Sequence, residues 1–361
     1  MPPTPTQPLP NSHRHPVATA RAKLVRRLFP EGIPSLWCPP VTHYDENGAI
    51  DAPRMAAHLR HLAPHARGLL IPGSTGDGWE LTAQESRQLL KLALVQAQKL
   101  NLHLLIGALR PVPQDALAFI RETVEFLQAR QQTGEPLEAL VQARVCGFTV
   151  CPPRGAELSQ AQIAAGLSSL LESGLPTAVY QLPQVTRNEM SPELAIELAR
   201  KFHNFVFFKD TSGADRVALQ GRGLDGVFAA RGAEGEYSRW LKLAGGPYDG
   251  FLLGSANCFA PQIQQIVNDL SAGRAEPARA LAERVAGAVN DATQLVAGVP
   301  DGNAFANANK AMDHFFAHGP RAVEVPPPIL HAGSRLPTEV IRAAGVLLTR
   351  YELMPAKGYL E

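Results

Sequence analysis

The chain has 361 residues, 45% hydrophobic and 19% charged, with a formal net charge of +1. That length buries a large core, as one big α/β domain or two smaller ones. A near-neutral balance provides no global basic field for nucleic acid. No apolar run approaches the roughly 18–20 residues that span a bilayer, so the expectation is a soluble protein with neither nucleic-acid nor membrane partners. Cys38, Cys146, Cys151 and Cys258 show no paired spacing and suit a reduced, cytoplasmic compartment.

The five Lys/Arg and no acids of residues 1–30 leave 29 basic against 33 acidic residues in the remainder. The first 16 residues, rich in Pro, Thr, Gln and His, cannot pack a core and read as a disordered tail. Val17 to Phe29 has the pattern of a basic amphipathic helix. Few serines and the early prolines favour a plain extension there over an organellar leader.

Beyond residue 30, strand-like and helix-like segments alternate, the pattern of a parallel α/β fold. Eight strands are predicted: Ser35–Val41, Gly68–Pro72, His103–Ala108, Arg144–Cys151, Thr177–Leu182, Phe205–Lys209, Gly226–Ala230 and Gly250–Gly254. Thr82 and Glu85 form a capping box for a helix through Lys99, and Asp51, Ser159 and Ser191 can cap others. Eight strand–helix pairs are the count of a (β/α)8 TIM barrel. A doubly wound sheet would want G-x-G-x-x-G after strand one, where the chain has Thr42-His43-Tyr44-Asp45. The expected organisation is an N-terminal extension over 1–30, partly disordered, a barrel over 31–275 and a C-terminal helical extension over 276–361. The last part holds helices Glu276–Ala297, Gly302–His318 and Pro337–Tyr351, with Pro326-Pro327-Pro328 as a rigid connector.

In such a barrel, active residues sit at C-terminal strand ends. Lys209 ends the apolar run Phe205-Val206-Phe207-Phe208; burial there would lower an amine's pKa toward what a Schiff-base lysine needs. The plain alternative is a lysine that reaches solvent. Gly73-Ser74-Thr75-Gly76 after strand two offers hydroxyls and backbone N–H groups for a carboxylate, or is merely a tight turn. Tyr180 alternates with Ala178 on one face of strand five, as a proton relay or as a core aromatic. Gly232 ends strand seven. His58, His61 and His65 share a helix face, but Pro64 interrupts the helix, and converging His and carboxylate ligands for a metal-dependent aldolase are not found at the strand ends.

In combination, Gly73-Ser74-Thr75-Gly76-Asp77, Tyr180-x-x-Pro183 and Lys209-Asp210-x-Ser212-Gly213 resemble the dihydrodipicolinate synthase / N-acetylneuraminate lyase family of pyruvate-type class I aldolases. Asp45 to Asp51 and Gly250 to Asn257 are also similar to that family's first βα loop and eighth strand. The resemblance covers roughly residues 33 to 300. It implies a lyase in which Lys209 attacks the ketone of pyruvate or a related 2-oxo acid and Tyr180 shuttles the proton. Ser74 and Thr75, with Gly73 and Gly232, would bind substrate. It implies no metal and no other cofactor, and a homotetramer or homodimer.

The chain also departs from the family. Val185 stands where the synthase branch has an arginine for the acceptor's carboxylate, and valine makes no bidentate contact. Dihydrodipicolinate synthesis is therefore not expected; a lyase, aldolase or dehydratase for 2-keto-3-deoxy sugar acids fits better. Cys151-Pro152-Pro153-Arg154 lacks the tyrosine that the family lends to a neighbouring subunit. Arg154 either recognises an acidic group or is a plain surface residue. Asp77 in place of Glu, and His43-Tyr44 in place of Pro-Phe, are expected to reshape the distal pocket. A non-catalytic 2-oxo-acid-binding barrel is the competing functional class.

Overall fold

The computed structural model describes residues 16–361, so the reading of residues 1–15 as a tail lies outside it. All eight strands form, all parallel, and close into a barrel with β1 hydrogen-bonded to β8. They are β1 Leu36–Cys38, β2 Gly68–Ile71, β3 His103–Gly107, β4 Val145–Val150, β5 Thr177–Gln181, β6 Phe205–Asp210, β7 Phe228–Arg231 and β8 Gly250–Leu252. β1 stops short of its predicted end because Pro39 and Pro40 carry no N–H for the ladder. β7 starts late because Gly226 has φ +87°, outside strand geometry.

The helices are α1 Pro16–Leu28, α2 Ala52–Leu62, α3 Ala83–Leu100, α4 Pro113–Gln131, α5 Pro136–Gln142, α6 Gln160–Leu171 and α7 Pro183–Thr186. They continue with α8 Pro192–Lys201, α9 Arg216–Leu219, α10 Ala256–Ser271, α11 Ala275–Leu295, α12 Ala304–His318 and α13 Thr338–Arg350. The predicted caps hold: Thr82 with Glu85 is a complete capping box, Ser159 with Gln162 is a second, and Asp51 and Ser191 accept from the first turns of α2 and α8. None of the described helices is long and apolar enough to cross a membrane.

The basic amphipathic helix does form, as α1, and its apolar face packs into the N-terminal end of the barrel. Leu24, Leu28 and Phe29 join Trp37, Leu70, Leu105, Phe207 and Leu252 in one buried cluster. Arg21 is fully buried there. It donates to the carbonyls of Phe205 at 2.7 Å and Phe202 at 2.8 Å, and to those of Ala199 and Asp225. A guanidinium with several donors suits carbonyls left open at the ends of β6 and α8.

The opposite end of the barrel carries the C-terminal helices. α10 and α11 pack together, and α12 reaches back over the loop after β2. That placement brings C-terminal residues to the rim where the chemistry-bearing side chains lie.

Candidate active site

Side chains alternate along a strand, so every second residue faces the barrel axis. Ala178, Phe207, Ala230 and Leu252 belong to the interior cluster. Two residues further on, Tyr180, Lys209, Gly232 and Gly254 therefore point inward at the C-terminal rim. Lys209 is 4% exposed and lies opposite Tyr180 in the β5–β6 register. Its Nζ sits 4.0 Å from the Tyr180 ring centroid, a distance at which the ring face attracts the ammonium.

Gly232 is required beside it. A Cβ there would lie 2.7 Å from Lys209 Cε and 2.5 Å from Thr211 Oγ1, so any larger residue would push into the lysine's arm. Gly254 likewise keeps open the space next to Thr75, whose Oγ1 lies 3.2 Å from the position a Cβ would take. Thr211 Oγ1 is buried with no hydrogen-bond partner, a hydroxyl next to the lysine that strand periodicity did not single out.

The turn after β2 folds as a single 3₁₀ turn over Ser74–Gly76. The amides of Gly76 and Gly78 both donate to Gly73 O at 3.0 Å. Those N–H groups are spent inside the turn, so the expectation of amides freed for a carboxylate does not extend to them, and the polar capacity rests on Ser74 and Thr75. Ser74 Oγ accepts from Trp79 Nε1 at 2.9 Å, which orients the hydroxyl. Thr42 Oγ1 donates to Gly76 O at 2.7 Å and Asn303 Nδ2 to Ser74 O at 3.2 Å.

Asp77 closes the turn in the left-handed region, φ 60°. Its Oδ2 accepts from Tyr44 OH and from Lys310 Nζ, both at 2.9 Å. Burial, then the Asp77 carboxylate, raises the Tyr44 hydroxyl far above the ordinary phenol range, so Tyr44 stays protonated and donates to Asp77. Asp77 and Tyr44, expected to reshape the distal pocket, also bind the turn to α12 through Lys310. Sequence spacing held no signal for Lys310, 233 residues from its partner.

His43 belongs to the same layer. Its Nε2 lies 3.0 Å from His58 Nδ1 and 3.7 Å from Asp313 Oδ2, and all three side chains are buried. This is a convergence of two histidines and a carboxylate that strand ends alone did not reveal. Arg54 donates to the same Asp313 oxygen at 2.8 Å and supplies the positive charge a cation would otherwise bring. Burial pushes the Asp313 carboxyl up, but His58, Arg54 and His43 more than reverse that and hold it well below the usual range. His61 stacks on Tyr359 at 4.7 Å, and His65 lies beyond the end of α2.

The strand-seven end is braced from the far side. Arg231 makes a bidentate pair with Asp215, 3.0 Å at each oxygen, and Tyr248 OH donates to Asp215 Oδ1 at 2.6 Å. Arg231 also donates to the carbonyls of Ala233 and Gly235, which fixes the loop that begins at Gly232. Arg154 is exposed, and Val185 is half-buried on α7.

Comparison with known proteins agrees with this geometry. Residues 146–308 match the model of the dihydrodipicolinate synthetase family. The 4-hydroxy-tetrahydrodipicolinate synthase of Agrobacterium fabrum (strain C58) is 26% identical over 199 residues, 54% of this chain and 59% of that protein. The match thus spans less than two thirds of that relative. YagE of Escherichia coli K12 is 29% identical over 246 residues, 65% of this chain and 73% of that protein. The YagE crystal structure in complex with pyruvate superposes with a TM-score of 0.68 at 20% identity, covering 88% of this chain and 99% of that one. A variant of the Sulfolobus solfataricus 2-keto-3-deoxygluconate aldolase superposes with a TM-score of 0.67 at 16% identity, covering 88% and 96%. A closed eight-stranded barrel, an inward lysine on β6 facing a β5 tyrosine, and these matches all point the same way: the chain has the fold of, and over residues 146–308 the sequence pattern of, the dihydrodipicolinate synthetase family.

Proposed function

We propose that the protein is a Schiff-base lyase acting on pyruvate or on a 2-oxo acid that yields it. The observation that carries this reading is the pairing of Lys209 with Tyr180 on adjacent strands, amine 4.0 Å from the ring centroid, beside a glycine that keeps the lysine's arm free. Lys209 attacks the ketone carbon, water leaves, and an iminium forms. The iminium withdraws electrons and stabilises the carbanion equivalent that carbon–carbon bond making or breaking requires. Tyr180, inward-facing at the rim, moves the proton. Ser74 and Thr75 hold the substrate carboxylate at the turn, with Gly73 and Gly232 shaping the floor.

The test is reductive trapping. The purified chain is incubated with pyruvate and borohydride and the modified peptide is mapped by mass spectrometry. The expected result is one adduct, on Lys209, absent from Lys209→Ala. An unmodified Lys209 in the presence of pyruvate and a panel of other 2-oxo acids would falsify the assignment. An adduct that never turns over with any acceptor or sugar acid would instead favour the binding-barrel class.

A further inference from the structure

One side of the rim is apolar. Leu109, just beyond β3, Cys151, just beyond β4, Tyr180 from β5 and Leu182, which follows β5, form a single buried cluster, with Trp79 and Val185 packed on it half-buried. The cluster runs from the turn after β2 to the lysine. Leu109 Cδ1 lies 3.1 Å from where a Cβ on Gly78 would be, and Trp79 touches Ser74. At the other end, burial pushes the Cys151 thiol up, with Lys209 near enough to oppose it.

Several polar groups elsewhere around the rim are already committed to the protein, whereas Thr211 Oγ1 and Asn188 Oδ1 have no partner. Glu234 accepts from the Ser255 amide at 3.0 Å, from Ser255 Oγ at 2.7 Å and from Tyr237 OH at 2.8 Å. Gln184 donates to Thr211 O at 2.9 Å, and Asn188 donates to Pro153 O and Gly155 O at 2.8 Å each. Asn309 Nδ2 donates to Phe305 O at 2.8 Å. A substrate with several hydroxyls would find few free partners there and would have to break some of these bonds or leave its own groups unpaired. A substrate with an apolar body would cover the half-buried Trp79 and Val185, which are backed by the buried Leu109, Cys151 and Leu182, and release the water on them.

We infer that the carbonyl partner of the pyruvate unit is an aldehyde with an apolar body, an alkyl chain or an aromatic ring, seated on the wall formed by Trp79, Leu109, Cys151, Leu182 and Val185. This rests on the Schiff-base reading of Lys209. In the condensation direction the lysine-bound iminium loses a proton from C3, and the resulting enamine carbon attacks the aldehyde carbon. The new C–C bond forms as the C=O pair moves to oxygen and takes a proton. Water then hydrolyses the iminium, returning the free amine and a 4-hydroxy-2-oxo acid. Cleavage is the reverse, and neither direction needs an oxidant or reductant.

The test uses the full chain with pyruvate and four aldehydes: hexanal, benzaldehyde, D-glyceraldehyde and succinic semialdehyde. The 4-hydroxy-2-oxo acid product is quantified by mass spectrometry. Hexanal or benzaldehyde should exceed both polar aldehydes in kcat/KM by about tenfold to a few hundredfold, the range a hydrophobic pocket supplies. Val185→Asn should cut that ratio by about tenfold, and the near-isosteric Val185→Thr should shift it in the same direction if the asparagine variant fails to fold. A preference for glyceraldehyde or succinic semialdehyde overturns the inference, as does a ratio that neither variant moves. Borohydride trapping with pyruvate alone separates the two levels. No adduct on Lys209 sinks both the Schiff-base reading and this one, whereas an adduct together with a polar-aldehyde preference sinks only the acceptor assignment.

Discussion

Lys310 on α12 places its ammonium 2.9 Å from Asp77 Oδ2, in an ion pair whose side chains are 1% and 4% exposed. Asp77 ends the turn that carries Ser74 and Thr75, and Asn303, the N-cap of α12, donates to Ser74 O. α12 therefore holds the candidate carboxylate site from outside the barrel. Breaking a buried pair by removing one partner leaves an uncompensated charge, at a cost of about 3–5 kcal/mol. Lys310→Met is expected to lose that much in urea unfolding and to raise the pyruvate concentration that half-saturates trapping on Lys209. Combining it with Asp77→Asn should restore most of the stability but not the affinity. Wild-type affinity in Lys310→Met would show that the turn stands without α12.

Gly232→Ala addresses the lysine directly. The added methyl would meet Lys209 Cε at 2.7 Å and Thr211 Oγ1 at 2.5 Å, inside van der Waals contact. The lysine arm is the flexible partner, so the expected outcome is a folded protein whose adduct forms at least about tenfold more slowly, a displacement effect of the size misplacement by an ångström produces. Trapping rates and thermal melts on the same preparation decide it. Unchanged trapping would mean the arm has slack that the packing does not suggest.

Arg21 gives a prediction for stability alone. Fully buried and donating to four carbonyls, it leaves several acceptors unsatisfied when replaced. Arg21→Met should cost about 3 kcal/mol or more, read by denaturant unfolding with an unchanged m-value. The site lies at the other end of the barrel, so half-saturation of Lys209 by pyruvate in the surviving folded fraction should not move.

Acid stability follows from the histidines. Burial pulls His43 and His58 below the ordinary imidazole value, with the charges of neighbouring arginines helping, and brings His103 and His318 down to about 4. Between about pH 6.5 and 4 the unfolded chain binds protons that the folded chain refuses, so stability falls as pH falls through that window. Asp313, held low in the fold, keeps its stabilising contribution until still lower pH. The melting temperature is expected to drop by more than about 5 °C from pH 7 to pH 4.5. A flat profile would show that these rings titrate normally.

Local chemistry made much of this readable in advance. Alternating strands and helices, Thr82 with Glu85, Ser159, Ser191 and the apolar run before Lys209 are all short-range signals, because caps and strand periodicity act within a few residues. The resemblance rested on the same kind of signal at Ser74-Thr75, Tyr180 and Lys209. The turn's internal hydrogen bonds were not legible, since Gly73 O could as well have been left to a ligand.

What the sequence by itself determined is the barrel and the strand ends that bear the lysine, the tyrosine and the hydroxyl turn, since strand count and alternation settle which residues reach the inner rim. What only the tertiary structure decided is everything that depends on distant segments meeting. Examples are Lys310 against Asp77, Arg21 beneath β6, the His43–His58–Asp313 cluster, and the apolar wall from Trp79 to Val185. Chain closure can bring any of many segments to a given rim position, and only the packed core selects among them.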